Sequence, residues 1–267
     1  MSSKNPIVKG TPIERHEGTW VKREDLCCPD GPHLSKMRGI WPHIKNRDEK
    51  IIGVLDTYRS WGGWATAFCC NLLGKQCVAF YPRYTKPRDW GRSQQNANRL
   101  GAEIKPLEAK RSVVMRARAR ENLYSGGYMM PNAMKLSETV IETAKEVHRT
   151  NTKKFDTIVI PIGTGTIASG VIKGLAEKGE KPLIILSLGY TRTPNSLLNY
   201  IQQFTEVEDA YIEIIDQGYK YNTPESKLPD LEMRFPAHRH YEQKAWQWIM
   251  TKKNRIGKGK ILFWNIG

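Results

Sequence analysis

The chain has 267 residues, 39% of them hydrophobic, which is enough for one large α/β domain or two modest lobes with a buried core. No run of about 18 apolar residues occurs, which excludes an apolar membrane helix, and MSSKNPIVKG lacks the apolar core of a signal peptide, so cytoplasmic residence is expected. Forty-two Lys and Arg against 27 Asp and Glu give a net charge of +15, more than a small-molecule enzyme of the cytoplasm needs.

The first clear strand is IIGVLD (51–56); the long stretch before it shows no clear element of its own. WATAFCCNLLG (64–74) reads as a short helix closed by Gly74, and CVAFYP (77–82) as the next strand. A helical stretch ends at Leu100 before Gly101, and AEIKPL follows as a short strand. SETVIETAKEVHR (137–149) has helical spacing and no breaker. TIVIPIG (157–163) is a strong strand that leads through a Gly/Thr turn into the helix IASGVIKGLAEKG. LIILSLG (183–189), IEIID (212–216) and ILFWNIG (261–267) complete the strands. This alternation predicts parallel βαβ units. Gln217 to Arg239, rich in Pro, Tyr and charge, is expected to be an irregular loop or lid.

Five cysteines (Cys27, Cys28, Cys69, Cys70, Cys77) follow no framework spacing and read as free thiols. Cys27 and Cys28 with His33 are too thin a set for a metal, and the pair His238 and His240 lacks partners, so no metal site is expected. The basic excess is concentrated. Residues 85–120 carry ten Lys and Arg against three acids, and 244–260 carry six and no acid. Such blocks suit a polyanion, because cations that neutralise phosphates release counterions. Arg88, Arg92, Arg116, Arg118, Arg120, Lys252 and Lys253 are the candidate nucleic-acid contacts. Trp90, Trp246 and Trp248 lie among them and could stack on bases.

Three segments carry chemistry. In PIGTGTIASG (161–170) a strand runs through Gly163, Thr164, Gly165 and Thr166 into a helix. Glycines, hydroxyls and a helix N-terminus together favour a phosphate. It is neither a Walker loop nor a dinucleotide fingerprint, since GK[ST] and a later acidic residue are absent. In WVKREDLCCPDGPHLSKMRGI (20–40), Lys36 stands in a constrained Gly/Pro/His/Ser setting just before a helical stretch, where a lysine can serve as a nucleophile. In YRSWGGWATA (58–67), Ser60 occupies a turn ahead of a helix, with the N–H groups of Gly62 and Gly63 expected to be open to a carboxylate.

Taken in order, KRED…SK…R, then SWGGWATAFCCNLLG, then PIGTGTIASG, then ILFWNIG resembles the fold-type II pyridoxal phosphate enzymes. The branch it is similar to contains aminocyclopropane-carboxylate deaminase and D-cysteine desulfhydrase. The resemblance implies two lobes, each a largely parallel sheet flanked by helices. Residues 1–49 and 141–267 would form the large cofactor-binding domain and 50–140 the small one. It implies pyridoxal 5′-phosphate as cofactor, with Lys36 carrying it and moving protons. Gly163 to Thr166 would bind its phosphate, with Asn265 near its ring. Ser60, with Trp61, Gly62 and Gly63, would meet the substrate, with Ser60 assisting catalysis. By position in the chain, Tyr190 after a strand end is expected to face the ring, and Tyr219 in the expected lid to reach substrate. Homodimers are usual among the enzymes it resembles.

The chain departs from that pattern in ways that bear on the reaction. The Ser60 turn has no Asn, HLSK stands where GGNK is usual, and Asn265 stands where a Ser or Thr is usual. These changes, with the basic blocks, point away from a standard deaminase. The chain also resembles bacteriophage pyridoxal enzymes that build hypermodified thymines. That implies a lyase acting on an α-amino acid group joined to a nucleic-acid base, by α-decarboxylation. The alternatives are a small-molecule deaminase or desulfhydrase working by α,β-elimination, and a cofactor-free nucleic-acid-binding relative.

Overall fold

Apolar, β-branched runs alternate with helical runs along this chain, and the folded molecule follows that alternation. The computed structural model describes residues 4–83, 89–206, 211–220, 233–252, 256 and 259–267. It begins with β1 (Ile13–His16), β2 (Thr19–Arg23), α1 (Met37–Lys45), β3 (Ile51–Leu55), α2 (Gly62–Leu73) and β4 (Gln76–Arg83). Next come α3 (Arg92–Arg99), β5 (Glu103–Glu108), α4 (Ser112–Glu121), β6 (Tyr128–Met129), α5 (Ser137–Arg149) and β7 (Thr157–Ile162). The remainder is α6 (Thr166–Glu177), β8 (Leu183–Leu188), α7 (Pro194–Gln202), β9 (Ile212–Ile215), α8 (Glu242–Lys252) and β10 (Ile261–Asn265).

Two compact units result. The smaller holds Asp30–Pro32 and Met37–Glu138 with the described residues up to Ile7; the larger holds Val8–Pro29, His33–Lys36 and Thr139–Gly267. The sequence places a boundary at 49–50, whereas α1 groups with the smaller unit because it packs on α2.

In the smaller unit four parallel strands lie in the order β5-β4-β3-β6. Val78 and Phe80 of β4 pack with Ala119 of α4, and Leu55, Leu107, Leu123 and Met129 close over them. Helix α2 stops where Gly74 turns left-handed (φ 64°), which lets Lys75 N–H reach back to Cys70 O at 2.9 Å. All five cysteines are buried free thiols.

In the larger unit six strands lie in the order β1-β2-β10-β7-β8-β9, antiparallel only between β1 and β2. Every residue of β7 is buried, as a parallel strand covered on both faces requires. Ile158, Ile160 and Ile162 face Val147, Ile167, Val171 and Leu175, while Val159 faces Ala245, Trp246 and Ile249.

The opening stretch is not featureless: it forms the β1–β2 hairpin. Its strand TWVKR reads as polar, yet Lys22 and Arg23 are buried because ion pairs satisfy them. From the expected loop at 217–239, residues 217–220 and 233–239 carry no helix or strand, and 221–232 lie outside the described residues. No helix among the described residues is long and apolar enough to cross a membrane.

Candidate active site

Strand β7 delivers the chain to Gly163 at the carboxyl edge of its sheet, where open parallel sheets gather their binding loops. Gly165 is the cap of α6 with φ 94°, and a Cβ there would also meet Leu197 Cδ1 at 2.7 Å. Around it lie the Thr164 and Thr166 hydroxyls, 2.9 Å apart, and the Tyr200 hydroxyl, 3.2 Å from that of Thr166. Arg192 Nη1 donates to Gly163 O at 2.9 Å and braces the loop. Hydroxyls gathered at a helix N-terminus suit an anion.

Lys36 stands beside this loop. Ser35 N–H donates to Ile266 O at 2.9 Å, and Cys27 Sγ donates to Leu34 O at 3.4 Å, so the segment before it is pinned to the residue that follows β10 and to Cys27, shortly after β2. The Lys36 ammonium donates to Thr164 Oγ1 at 3.0 Å. The lysine and the Gly/Thr loop, 128 positions apart in sequence, therefore converge within one unit.

At the end of β10, Asn265 is fully buried; its Nδ2 donates to Asp25 Oδ1 at 2.8 Å and to Pro236 O at 2.9 Å. Asp25 is clamped by Arg23 through Nε at 3.0 Å and Nη2 at 2.8 Å. Glu242 opens α8, is buried, and accepts His238 N–H on Oε2 at 2.8 Å. Burial pushes its carboxyl well above the usual range, and the charge of Asp25 adds to this. The Tyr241 ring crosses the ends of β7 and β8: a Cβ on Gly163 would lie 3.2 Å from Tyr241 Cε1, and one on Gly189 2.5 Å from Cδ1. The two glycines give this ring its room.

Comparison with known proteins gives the family. Residues 3–212 match the family described as pyridoxal-phosphate dependent enzyme. The chain belongs to that family. Its cofactor is pyridoxal phosphate. The glycyl-dTMP PLP-dependent decarboxylase of Pseudomonas phage M6 is 42% identical, over 98% of this chain and 99% of that protein. Among solved structures, an ACC deaminase homologue has a TM-score of 0.76 at 19% identity, covering 98% of this chain and 90% of its own. A fungal L-serine ammonia-lyase from Rhizomucor miehei has 0.69 at 15% identity, covering 97% and 93%. These structures share the fold.

This pyridoxal-phosphate dependent enzyme has residues that fit its cofactor. The Gly163–Thr166 loop suits the phosphate and Lys36 suits the aldehyde carbon. Two buried acceptors, Asn265 Oδ1 and Glu242 Oε1, have no hydrogen-bond partner among the described residues. A buried acceptor that lacks a donor fits a protonated ring nitrogen. Tyr190 follows β8, half-buried. Tyr219 sits farther along the same sheet edge, its hydroxyl 3.3 Å from Gln247 Oε1 and the Lys244 ammonium 4.6 Å from its ring centre.

The Ser60 turn belongs to the smaller unit. Its N–H groups are not open as the sequence suggests. Gly63 N–H donates to Asp56 Oδ2 at 2.6 Å, and Gly62 N–H to Ser60 Oγ at 3.3 Å. Asp56, at the end of β3, is itself the carboxylate held at the start of α2, and burial raises its pKa against the pull of the Gly63 N–H. Trp61 is half-buried next to it.

The basic candidates fall on several elements. Arg92 is exposed at the start of α3, and Lys252 lies at the end of α8. On α4, Arg118 pairs with Glu108 at 3.3 Å, Arg120 is exposed, and burial followed by the charge of Arg120 lowers the pKa of Arg116. Arg88 and Lys253 lie outside the described residues.

Sequence reading missed Tyr241, Glu242, Asp25 and Tyr200. Glu242 gives a pH signature. Its folded pKa lies above the unfolded value near 4.5, so the unfolded chain releases this proton first and stability falls as pH rises from there. In cofactor-free protein, the melting temperature of Glu242→Gln will fall less than that of the parent between about pH 5 and about pH 8. Parallel melting curves across that range would assign the dependence to other groups.

Proposed function

We propose that this enzyme decarboxylates an α-amino acid group carried by a thymine nucleotide. The observation that carries the reading is the 42% identity, along essentially the full length of both chains, to a protein named glycyl-dTMP PLP-dependent decarboxylase. The convergence of Lys36 on the Gly163–Thr166 loop supports it.

When bound, pyridoxal phosphate supplies an electron sink for the pair left at Cα after a bond there breaks. The residues of the chain do the rest. Thr164, Thr166 and the N–H groups at the start of α6 would hold the phosphate, with Tyr200 steadying Thr166. Glu242 and Asn265 would face the ring nitrogen. Tyr241, wedged over Gly163 and Gly189, walls the site at the strand ends. Lys36 would carry the cofactor, and its ε-amino group lies beside Thr164 Oγ1 at 3.0 Å. From there it delivers the proton that replaces the departing carboxylate on Cα. The Cα–carboxylate bond breaks, carbon dioxide leaves, and one C–H bond forms. Exposed Arg92 and Arg120 of the smaller unit contribute phosphate contacts to nucleic acid.

Mass analysis of modified thymine nucleotides before and after incubation tests the reading. The expected result is loss of one carbon dioxide with retention of nitrogen. Release of ammonia from a free amino acid, with no mass change on any nucleotide, would overturn it.

A further inference from the structure

The smaller unit carries an aromatic and basic surface that amino-acid chemistry alone does not need. After β3 the chain turns through Tyr58, Arg59, Ser60 and Trp61 into α2, and the approach to α3 is laid against this turn. Gln94 Nε2 donates to Thr57 O at 3.3 Å, and the backbone at Gly91 runs so close that a Cβ there would lie 3.3 Å from Tyr58 O. Asp89 to Gln94 and Thr57 to Trp64 are therefore one surface. The half-buried Trp61 ring lies 5.5 Å from the buried Trp64 ring at 56°, and the exposed Arg92 guanidinium sits 5.7 Å from the centre of Trp64. Trp90 is 43% exposed, with its carbonyl held by Gln95 Nε2 at 2.8 Å.

A free α-amino acid needs partners for a carboxylate and an amine. It does not need several indoles. The exposed Trp90 indole and the exposed Arg92 guanidinium, two positions apart in the chain, suit a flat base followed by a phosphate, because every base has a π-face and each phosphate a charge. The net charge of +15 favours the same partner.

We propose that Trp61, Trp90 and Arg92 form a nucleotide subsite: the indoles stack on a pyrimidine base of the substrate strand, and Arg92 pairs with an adjacent phosphate. The inference rests on the proposed function and adds the residues that recognise the nucleotide.

The test uses the holoenzyme and a short fluorescent oligothymidine, with Trp90→Ala, Trp90→Phe and Arg92→Ala. Wild type is expected to bind with strong salt dependence. Trp90→Ala weakens binding by about tenfold or more, Trp90→Phe restores most of it, and Arg92→Ala lowers the salt slope by about one. The cofactor absorbance stays as in wild type. If wild type decarboxylates the modified nucleotide while these variants bind oligothymidine as tightly as it does, the subsite is overturned and the functional reading stands. If wild type acts on no nucleotide at all, both fall.

Discussion

On the proposed role of Lys36, replacing it by alanine will abolish the absorbance of lysine-bound cofactor and cut turnover by roughly 10³-fold or more, the scale lost with a positioned acid–base and nucleophilic group. The geometry makes this sharper than a generic lysine deletion. Lys36 has its ammonium 3.0 Å from Thr164 Oγ1, and the segment before it is fixed by Ser35 N–H on Ile266 O at 2.9 Å. Removing the side chain leaves the Gly163–Thr166 loop intact, so the phosphate can still be held. The variant will therefore bind pyridoxal phosphate weakly and reversibly, seen by dialysis and absorbance titration. A variant with the parental absorbance and turnover within about tenfold would mean that another lysine carries the cofactor.

The second large effect is on stability. Lys22 of β2 and Glu146 of α5 are both buried, with Lys22 Nζ donating to Glu146 Oε1 at 2.7 Å and to Thr11 O at 2.6 Å. Glu146 also accepts the N–H groups of Thr11 at 2.9 Å and Gly10 at 3.0 Å, and Glu24 lies 3.9 Å from Lys22. Glu146→Ala leaves a buried ammonium undercompensated and two backbone donors without their carboxylate. A loss of about 3–5 kcal/mol is expected in urea unfolding, the scale for breaking a buried pair on one side. The exposed pair Lys145–Glu142, at 2.6 Å, is the control, and Glu142→Ala should cost under about 1 kcal/mol. Equal losses in the two variants would refute a special role for the buried node.

These two results touch what the sequence could and could not disclose. Parallel strands buried on both faces must be apolar throughout, so TIVIPI and LIILSL were plain to read, as was the Gly74 stop after α2. Lys36 became legible through motif order, since nothing local distinguishes it. The β1–β2 hairpin stayed hidden because its buried charges look like surface, and only pairing to Glu146 and Asp25 explains them. Glu242 and Tyr241 sit in the polar run HRHYEQK; Tyr241 finds its place through tertiary contact with Gly163 and Gly189, and Glu242 is buried with a local bond from His238 N–H. Asp56 looked like a strand end, and its bond to Gly63 N–H fills the very position expected for a ligand.

The place of β10 has one more consequence, for the order in which this protein can be assembled on the ribosome. Strand β10 pairs with β2 on one side and β7 on the other, matching Leu262 with Trp20 and with Ile158. The four-stranded sheet is complete in the nascent chain once Met129 has been made. The six-stranded sheet has only β1 and β2 at that stage, and even after β7, β8 and β9 are made, β2 and β7 present unpaired edges until residues 261–265 are synthesised. Pairing across so long a separation is slow, and open edges invite association with other chains. Lys36 waits on the same event, because the carbonyl of Ile266 that pins its segment arrives with that strand.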